Sequence, residues 1–459
     1  MTMFDSPLPE AGGPSEWLAF DRVTRDEIRY GRPTALGDVS APGLASALCH
    51  PSGRVREATL ARAAEAAPEL LAEVLPLVAV RCADWAEPVR DRALEVLEEA
   101  LGRPLLPPGL TATAGVILAV SGRLRGAAAL ELLEEAVAKA GPATVRALLA
   151  APDRATRRFA HRWAAANGRL PVARLARTAA ADPDVLVREE CVEAVLAAVR
   201  AGADPALLDS LLGARWPGVR SAGVTALHGA GRHREAEGFL ADRSRVVRAC
   251  ARWVVRQVGA DPAEWYRRRC AEGTLPPYAP LGLAECRERT DEDTVLLRAL
   301  TGHPVARVRA SAVAGLRVLA PHDWRGVLPL LDDPSAAVVR EVAHTLVAHA
   351  YRVPAEELLT RAAPDRPYPQ RAAALRVFSE RYDGLRLLCA LRMLDDPDSR
   401  LRERAARSAG RGWWVAGRES REEAEEMLGL LERHPGALAD WAHRSLTKGL
   451  TRAVQLHRP

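Results

Sequence analysis

A short motif recurs along this chain of 459 residues: an apolar residue, then arginine, then a small residue three positions after the arginine. Neighbouring copies lie 28 to 34 residues apart, and two gaps of 67 and 61 residues each correspond to one degenerate unit, near Arg123 and near Ala279. A period of this length is typical of stacked repeats. The sequence therefore predicts roughly a dozen units. The clearest copies contain Arg56, Arg90, Arg188, Arg220, Arg248, Arg309, Arg340 and Arg402, and the weaker ones contain Arg157 and Arg371.

Each unit has the pattern of two helices joined by a turn. In residues 326–350, Asp332 to Ser335 form the predicted turn, and Val339, Ala343 and Leu346 in the segment after it follow the 3.6-residue period of one buried helix face. Strand-like alternation of polar and apolar residues is absent, which argues against a β-propeller. The predicted fold class is all-α, an α-solenoid of helical hairpins.

The predicted turns carry Asp-Pro pairs, at Asp182-Pro183, Asp333-Pro334 and Asp396-Pro397. Proline cannot continue the preceding helix, and aspartate suits the positive end of the next one.

The pattern Asp-Pro-x-x-x-Val-Arg-x-x-Ala resembles the HEAT-repeat family, and the short period is similar to the bacterial HEAT-like repeats of phycobilin lyase subunits. The resemblance covers about residues 46–445. It implies an α-solenoid whose second helices line a concave face, with the repeated Asp and Arg forming a ladder between units. The family includes scaffolds, adaptors, transport factors and a few enzymes, so it narrows the fold more than the function.

The pattern divides the chain into four parts. Residues 1–14 are predicted to be disordered, 15–45 to form a helical cap on the first repeat, 46–445 to be the solenoid, and 446–459 to be a tail. A solenoid of this length needs no further division, because each unit packs only on its neighbours.

The net charge of +5 comes almost entirely from arginine, since Lys139 and Lys448 are the only lysines. This skew is typical of a high-GC bacterial genome and weakens arginine content as evidence for a ligand. Seven cysteines without a C-x-x-C pair indicate no disulfide framework, which favours a cytoplasmic protein. No signal peptide or membrane-spanning run is predicted.

Catalytic motifs are not found. The chain has no phosphate-binding loop, nucleophile elbow or H-E-x-x-H sequence. Glu341-x-x-His344 is a single copy of a spacing that di-iron bundles use twice. We therefore predict no catalytic residue, no metal ligand, no cofactor and no enzymatic activity.

Residues 215–269 hold 12 arginines and 5 acidic residues with aromatic residues between them. Arginines interleaved with aromatic side chains can bind a partner by charge and stacking. The repeated arginines, in contrast, are interpreted as a structural ladder. The candidate partner-binding surface consists of Arg252, Trp253, Arg256, Trp265, Tyr266, Arg267, Arg268 and Arg269.

Three functions remain open. The favoured one is a non-catalytic scaffold that binds a protein partner along the concave face. The second is a nucleic-acid binder similar to the alkylpurine DNA glycosylases built of HEAT-like repeats, for which Trp253 with Asp261 is the nearest match. The third is a subunit resembling phycobilin lyases or a chaperone. No membrane partner is predicted.

Overall fold

The computed structural model describes residues 8–9, 13–31, 38–103, 107–272, 275–288, 290–411 and 420–456. Over these ranges it contains 26 α-helices and four 3-10 helices, and no β-strand. The predicted all-α fold class is therefore confirmed. The disorder predicted for residues 1–14 falls mainly on residues 1–7 and 10–12, which lie outside the described residues.

In chain order the α-helices are α1 Pro14–Arg29, α2 Ala41–Leu48, α3 Gly53–Glu65, α4 Pro68–Arg81, α5 Glu87–Leu101, α6 Pro107–Ser121, α7 Ala127–Lys139, α8 Pro142–Leu149, α9 Arg154–Ala166, α10 Val172–Ala181, α11 Val185–Arg200, α12 Leu208–Leu212, α13 Pro217–Gly229, α14 Arg245–Gln257, α15 Pro262–Ala271, α16 Ala279–Ala284, α17 Asp291–Leu300, α18 Ala306–Leu319, α19 Trp324–Val327, α20 Ala336–Val347, α21 Ala355–Ala362, α22 Tyr368–Phe378, α23 Gly384–Arg392, α24 Ser399–Gly410, α25 Arg421–Arg433 and α26 Asp440–Leu456. The 3-10 helices are Pro205–Leu207, His233–Phe239, Leu328–Asp332 and Met393–Asp395.

The helices pair into hairpins, and the chain divides into two compact units, Met1–Ala230 and Gly231–Pro459. In the described part of the first unit, six hairpins from α2–α3 to α12–α13 follow α1. The described part of the second unit holds seven, beginning with the 3-10 helix His233–Phe239 paired with α14 and ending with α25–α26. Within each unit, a hairpin packs on the next one along the chain. This is the nearest-neighbour packing expected of a solenoid.

The boundaries of the repeat array differ from the sequence-based ones. The first hairpin begins with α2 at Ala41, five residues before the predicted start at residue 46. At the other end, the predicted boundary at 445 falls inside α26, where Leu446, Leu450 and Ala453 continue one buried face.

Helix α1 packs mainly against α4 and α6, the first helices of the second and third hairpins. Its Trp17 is buried, and its Asp21 is 2.5 Å from Arg81 of α4. The N-terminal helix thus packs on the second and third hairpins, with the Asp21 carboxylate bound to α4.

Two glycines allow the short helix α16 to approach its neighbours. A Cβ atom on Gly282 would lie 2.3 Å from Cε1 of Tyr266 in α15, and a Cβ on Gly315 of α18 would lie 3.1 Å from the carbonyl oxygen of Pro280. The Oγ atom of Ser311 in α18 accepts a hydrogen bond of 3.1 Å from the Leu281 N–H. Helix α16 is therefore held tightly between α15 and α18.

We predict that Gly282→Ala destabilises the protein, because the added methyl group overlaps the ring of Tyr266. Overpacking of this kind costs roughly 1–3 kcal/mol. The control is Gly429→Ala in the middle of α25, where the added Cβ meets nothing within 4 Å. This variant should gain roughly 0.5–1 kcal/mol from helix propensity. Urea unfolding followed by circular dichroism measures both, and equal effects of the two substitutions would contradict the packing of α16.

Candidate partner-binding site

The repeated arginine is the fourth residue of the second helix in most hairpins. Its Nη1 atom donates to backbone carbonyl oxygens five or six residues earlier, in the turn before the helix. Arg56, for example, donates to His50 at 2.8 Å and to Pro51 at 2.9 Å. The arginine thereby holds the turn against the first residues of the helix that follows it. The arginines bonded in this way are Arg56, Arg90, Arg157, Arg188, Arg220, Arg248, Arg309, Arg371 and Arg402.

The other edge of the guanidinium reaches a carboxylate in the turn of the next hairpin. Arg309 binds both oxygens of Asp333, with Nε at 2.7 Å and Nη2 at 2.8 Å. The same bidentate geometry joins Arg56 to Asp84 and Arg371 to Asp396. Each of these pairs connects two successive hairpins.

Each of these aspartates also accepts a backbone N–H within its own turn. Oδ1 of Asp333 accepts the N–H of Ser335, which is the N-cap of α20. Burial favours the neutral form of Asp333, but the hydrogen bonds from Arg309 and from the Ser335 N–H outweigh burial and lower its pKa. The carboxylate therefore remains charged at neutral pH.

Some links use a different partner. No aspartate occupies the turn position facing Arg188, and its guanidinium instead lies 3.9 Å from the ring centroid of Trp216. Arg90 and Arg402 donate to carbonyl oxygens of the turns before their own helices. The arginine position thus recurs along the chain more regularly than the ion pair does.

Arg340 does not belong to this series. The turn from Asp333 to the Val-Arg pair is one residue longer than in the other hairpins, so Val339, not Arg340, is the fourth residue of α20. Val339 is buried, whereas Arg340 is exposed and makes no hydrogen bond or ion pair with a described residue. The sequence-based prediction therefore places the repeated position of this hairpin one residue too late, at Arg340 instead of Val339.

The predicted partner-binding surface does not form one face. Tyr266 is fully buried, and its hydroxyl donates to the carbonyl oxygen of Leu240. Arg252 is also buried, and Arg267 binds both oxygens of the buried Asp293 in α17. These side chains join hairpins together, which the density of arginine and aromatic residues could not reveal.

The remaining residues of that predicted surface are more accessible. Trp253 is 44% exposed and Arg268 is exposed. Arg256 pairs with Glu288 at 2.8 Å, and the half-buried Trp265 is covered by Arg269, whose Cζ atom lies 5.3 Å from the indole centroid. Arg269 also binds Glu272 at 2.7 Å. Of this group, Trp253 and Arg268 present the most open surface.

A cleft of about 510 Å³ lies on the second helices α14, α16 and α18. We call it the arginine cleft. Its walls hold five arginines and one glutamate, and its apolar lining comes from α16 and α18. The lining residues are Arg243, Arg245, Arg248, Arg252, Leu281, Ala284, Glu285, Ala314, Arg317 and Val318.

Glu285 is the centre of the polar side of the cleft. It accepts Nη2 of Arg248 at 2.5 Å and Nη1 of Arg252 at 2.8 Å, and the side chains of all three residues are at most 8% exposed. Burial disfavours the charged form of Arg252, but Tyr266 and Glu285 outweigh burial and raise its pKa. Here Glu285, which follows α16, replaces the aspartate that a regular turn would supply to Arg248.

Of the predicted surface, only Arg252 lines this cleft. The other lining residues were missed because they come from three second helices that are separated by degenerate sequence. Placing Arg245, Leu281 and Val318 on one surface requires that the short helix α16 be recognised as a second helix. The sequence does not indicate this, because Gly282 occupies the position in α16 where the other second helices have the repeated arginine.

Nothing in the described residues resembles a metal centre, since no group of three or more His, Cys, Asp or Glu side chains is placed to hold an ion. Glu341 binds Arg317 at 3.0 Å and lies 3.8 Å from His344. Oδ1 of Asp261, the residue paired with Trp253 in the glycosylase comparison, accepts the N–H of Ala263 at the start of α15. Among the described helices, none is long and apolar enough to cross a membrane.

No protein-family model and no curated protein matches the chain. Among solved structures, it is similar to the karyopherin Kap121p bound to the SUMO protease Ulp1p, with 12% identity, a TM-score of 0.39, and coverage of 90% of this chain and 52% of that one. Kap121p bound to Nup53p gives 13% identity and a TM-score of 0.38, covering 90% and 52% of the two chains. The chain spans about half the length of these karyopherins. Its repeat architecture is established by its own helices and contacts.

We predict that Arg309→Ala lowers the free energy of unfolding by about 2 kcal/mol, because it leaves the carboxylate of Asp333, whose side chain is only 5% exposed, without its cation. Arg340→Ala is the matched control, an exposed arginine in the next second helix, and should change stability by no more than about 0.5 kcal/mol. Urea unfolding of both variants measures the difference. Equal losses would contradict the assignment of Arg309 to the ladder and of Arg340 to the surface.

Acid titration is a second test of the ion pair between Arg309 and Asp333. The folded-state pKa of Asp333 is lowered, so its contribution is complete above the unfolded value of about 3.9 and is lost as the pH falls through the folded value. The stability gap between wild type and Arg309→Ala should therefore narrow below about pH 4. A gap that widens on acidification would show that Asp333 is not the partner.

Proposed function

We propose that the protein is a non-catalytic, cytoplasmic scaffold of HEAT-like repeats that binds a protein partner across its second helices. The observation that carries this proposal is the arginine cleft, which is built by α14, α16 and α18. These are the helices that the HEAT resemblance assigns to the concave face. Stacked repeats typically use such surfaces for binding.

The composition of the cleft supports a protein partner. Protein interfaces combine apolar contact with arginine side chains. The cleft has this combination, with Leu281 and Val318 next to Arg245 and Arg317. Val318 is 42% exposed and borders the cleft, so it offers apolar contact area next to the arginines.

A nucleic-acid partner has less support. Binding of single strands without sequence preference depends on aromatic side chains that stack on bases. Tyr266 is buried, Trp265 is covered by Arg269, and the exposed Trp253 does not line the cleft, so the described lining of the cleft offers no open ring face. The resemblance to phycobilin lyases and chaperones gains no support from any side-chain arrangement among the described residues.

We predict that a photo-cross-linking amino acid at Val318 captures protein from native-cell extract, and that nuclease treatment leaves the product intact. The control position is Val295 of α17, a first helix, whose side chain is 64% exposed. Cross-linking through Val318 should exceed that through Val295 by at least about tenfold, since hot-spot contacts concentrate in the interface centre. Gel shift and mass spectrometry identify the products.

Two results would contradict the proposal. Equal capture at Val318 and Val295 would mean that the second helices are not the binding face. Products that disappear after nuclease treatment would assign the face to nucleic acid instead.

A further inference from the structure

We infer that the arginine cleft binds an acidic segment of a protein partner that also carries apolar side chains. The inference rests on the proposed function and specifies the chemistry of the partner at that site. Three features of the cleft carry it: an excess of guanidinium groups, an internal carboxylate whose own contacts are already made, and an apolar floor.

The first feature is the charge of the lining. Five arginines face the cleft and Glu285 is the only acidic residue in its wall. Glu341, which binds Arg317 at 3.0 Å, adds one further negative charge nearby. The described lining of the cleft therefore holds more guanidinium groups than carboxylates, and Arg245 at its edge is the most exposed of them. A concave surface lined by one sign of charge attracts ligands of the opposite sign.

The second feature is how Glu285 distributes its contacts. Its two oxygens bind Arg248 and Arg252 within 3.1 Å, whereas Nε of Arg245 lies 4.0 Å away. The side chain of Arg245 is 86% exposed. Glu285 thus spends its hydrogen bonds on the two buried arginines, and the exposed Arg245 at the rim remains accessible to an incoming anion.

The third feature is the apolar floor. Leu281 and Ala284 of α16 lie beside Ala314 and Val318 of α18, and none of the lining residues is aromatic. This floor can accept aliphatic side chains but offers no ring on which a base could stack. It therefore favours an amphipathic peptide over a nucleic acid.

The cleft already contains one contact between an arginine and a carboxylate, and it shows the geometry that a partner's carboxylate would adopt. Arg248 binds Glu285 through Nε and Nη2, the two-point contact in which arginine matches a carboxylate. Glutamate or aspartate side chains of a partner would use the same contact on Arg245, while an adjacent leucine or valine covers Val318.

The test is fluorescence anisotropy with the full chain and a labelled peptide of glutamates with leucines at helical spacing. The comparison probes are a glutamate-only peptide and a single-stranded oligonucleotide of equal formal charge. The glutamate–leucine peptide should bind most tightly, and its affinity should fall as salt is raised, because surface charges are screened.

Matched variants locate the site. Arg245→Glu should weaken binding of the glutamate–leucine peptide by about tenfold, since it replaces an attraction with a repulsion. Arg400→Glu is the control, since it makes the same charge change at an exposed arginine in the first turn of α24, and its effect should stay below about twofold. Val318→Ser should weaken the leucine-containing peptide and leave the glutamate-only peptide unchanged.

The outcomes separate the inference from the proposed function. Oligonucleotide binding as tight as peptide binding, equal losses from Arg245→Glu and Arg400→Glu, or no peptide binding would each overturn the acidic-segment inference. If the peptide fails while the cross-linker at Val318 still captures protein, the scaffold function stands and the partner has different chemistry. If the peptide fails and capture at Val318 does not exceed capture at Val295, the inference and the scaffold function fall together.

Discussion

The most complete ladder arginines satisfy two kinds of acceptor at once. In Arg309, Nη1 holds the carbonyl oxygens of the turn before its own helix, and Nε with Nη2 holds the carboxylate of Asp333 in the next hairpin. The same carboxylate accepts the N–H of the cap residue Ser335. One side chain thus couples a helix start, a turn and a neighbouring hairpin, and the packing of successive second helices depends on this coupling.

The proposed binding site lies where this pattern changes. The hairpin of α15 and α16 has no arginine in the repeated position, and its place is taken by Gly282 under the ring of Tyr266. Arg248 consequently pairs with Glu285 beyond α16. This exchange brings Arg252 to the same carboxylate and opens a cleft whose rim carries Arg245 and Arg317. A structural irregularity therefore supplies both the cavity and its excess of guanidinium groups over carboxylates.

The regular hairpins were predictable because their arginine, small residue and Asp-Pro turn all recur at fixed spacing. Arg340 shows the limit of that reasoning: one additional turn residue moves Val339 into the repeated position, and a Val-Arg pair alone cannot reveal the shift. Tyr266 and Arg252 show another limit, since local density of charge and aromatic residues does not distinguish a surface from an interface between hairpins. The cleft depends on α16, which is only six residues long and lacks the motif.

A double-mutant cycle between Arg309→Ala and Asp333→Asn tests the central claim most directly. Asparagine retains an oxygen for the Ser335 N–H, so the cycle isolates the link between hairpins. We expect a coupling free energy of at least about 1 kcal/mol from urea unfolding, and additive behaviour in a control cycle that pairs Arg340→Ala with Asp333→Asn. Additivity in the Arg309 cycle would show that the Arg309–Asp333 contact does not couple these two hairpins, and would contradict the ladder.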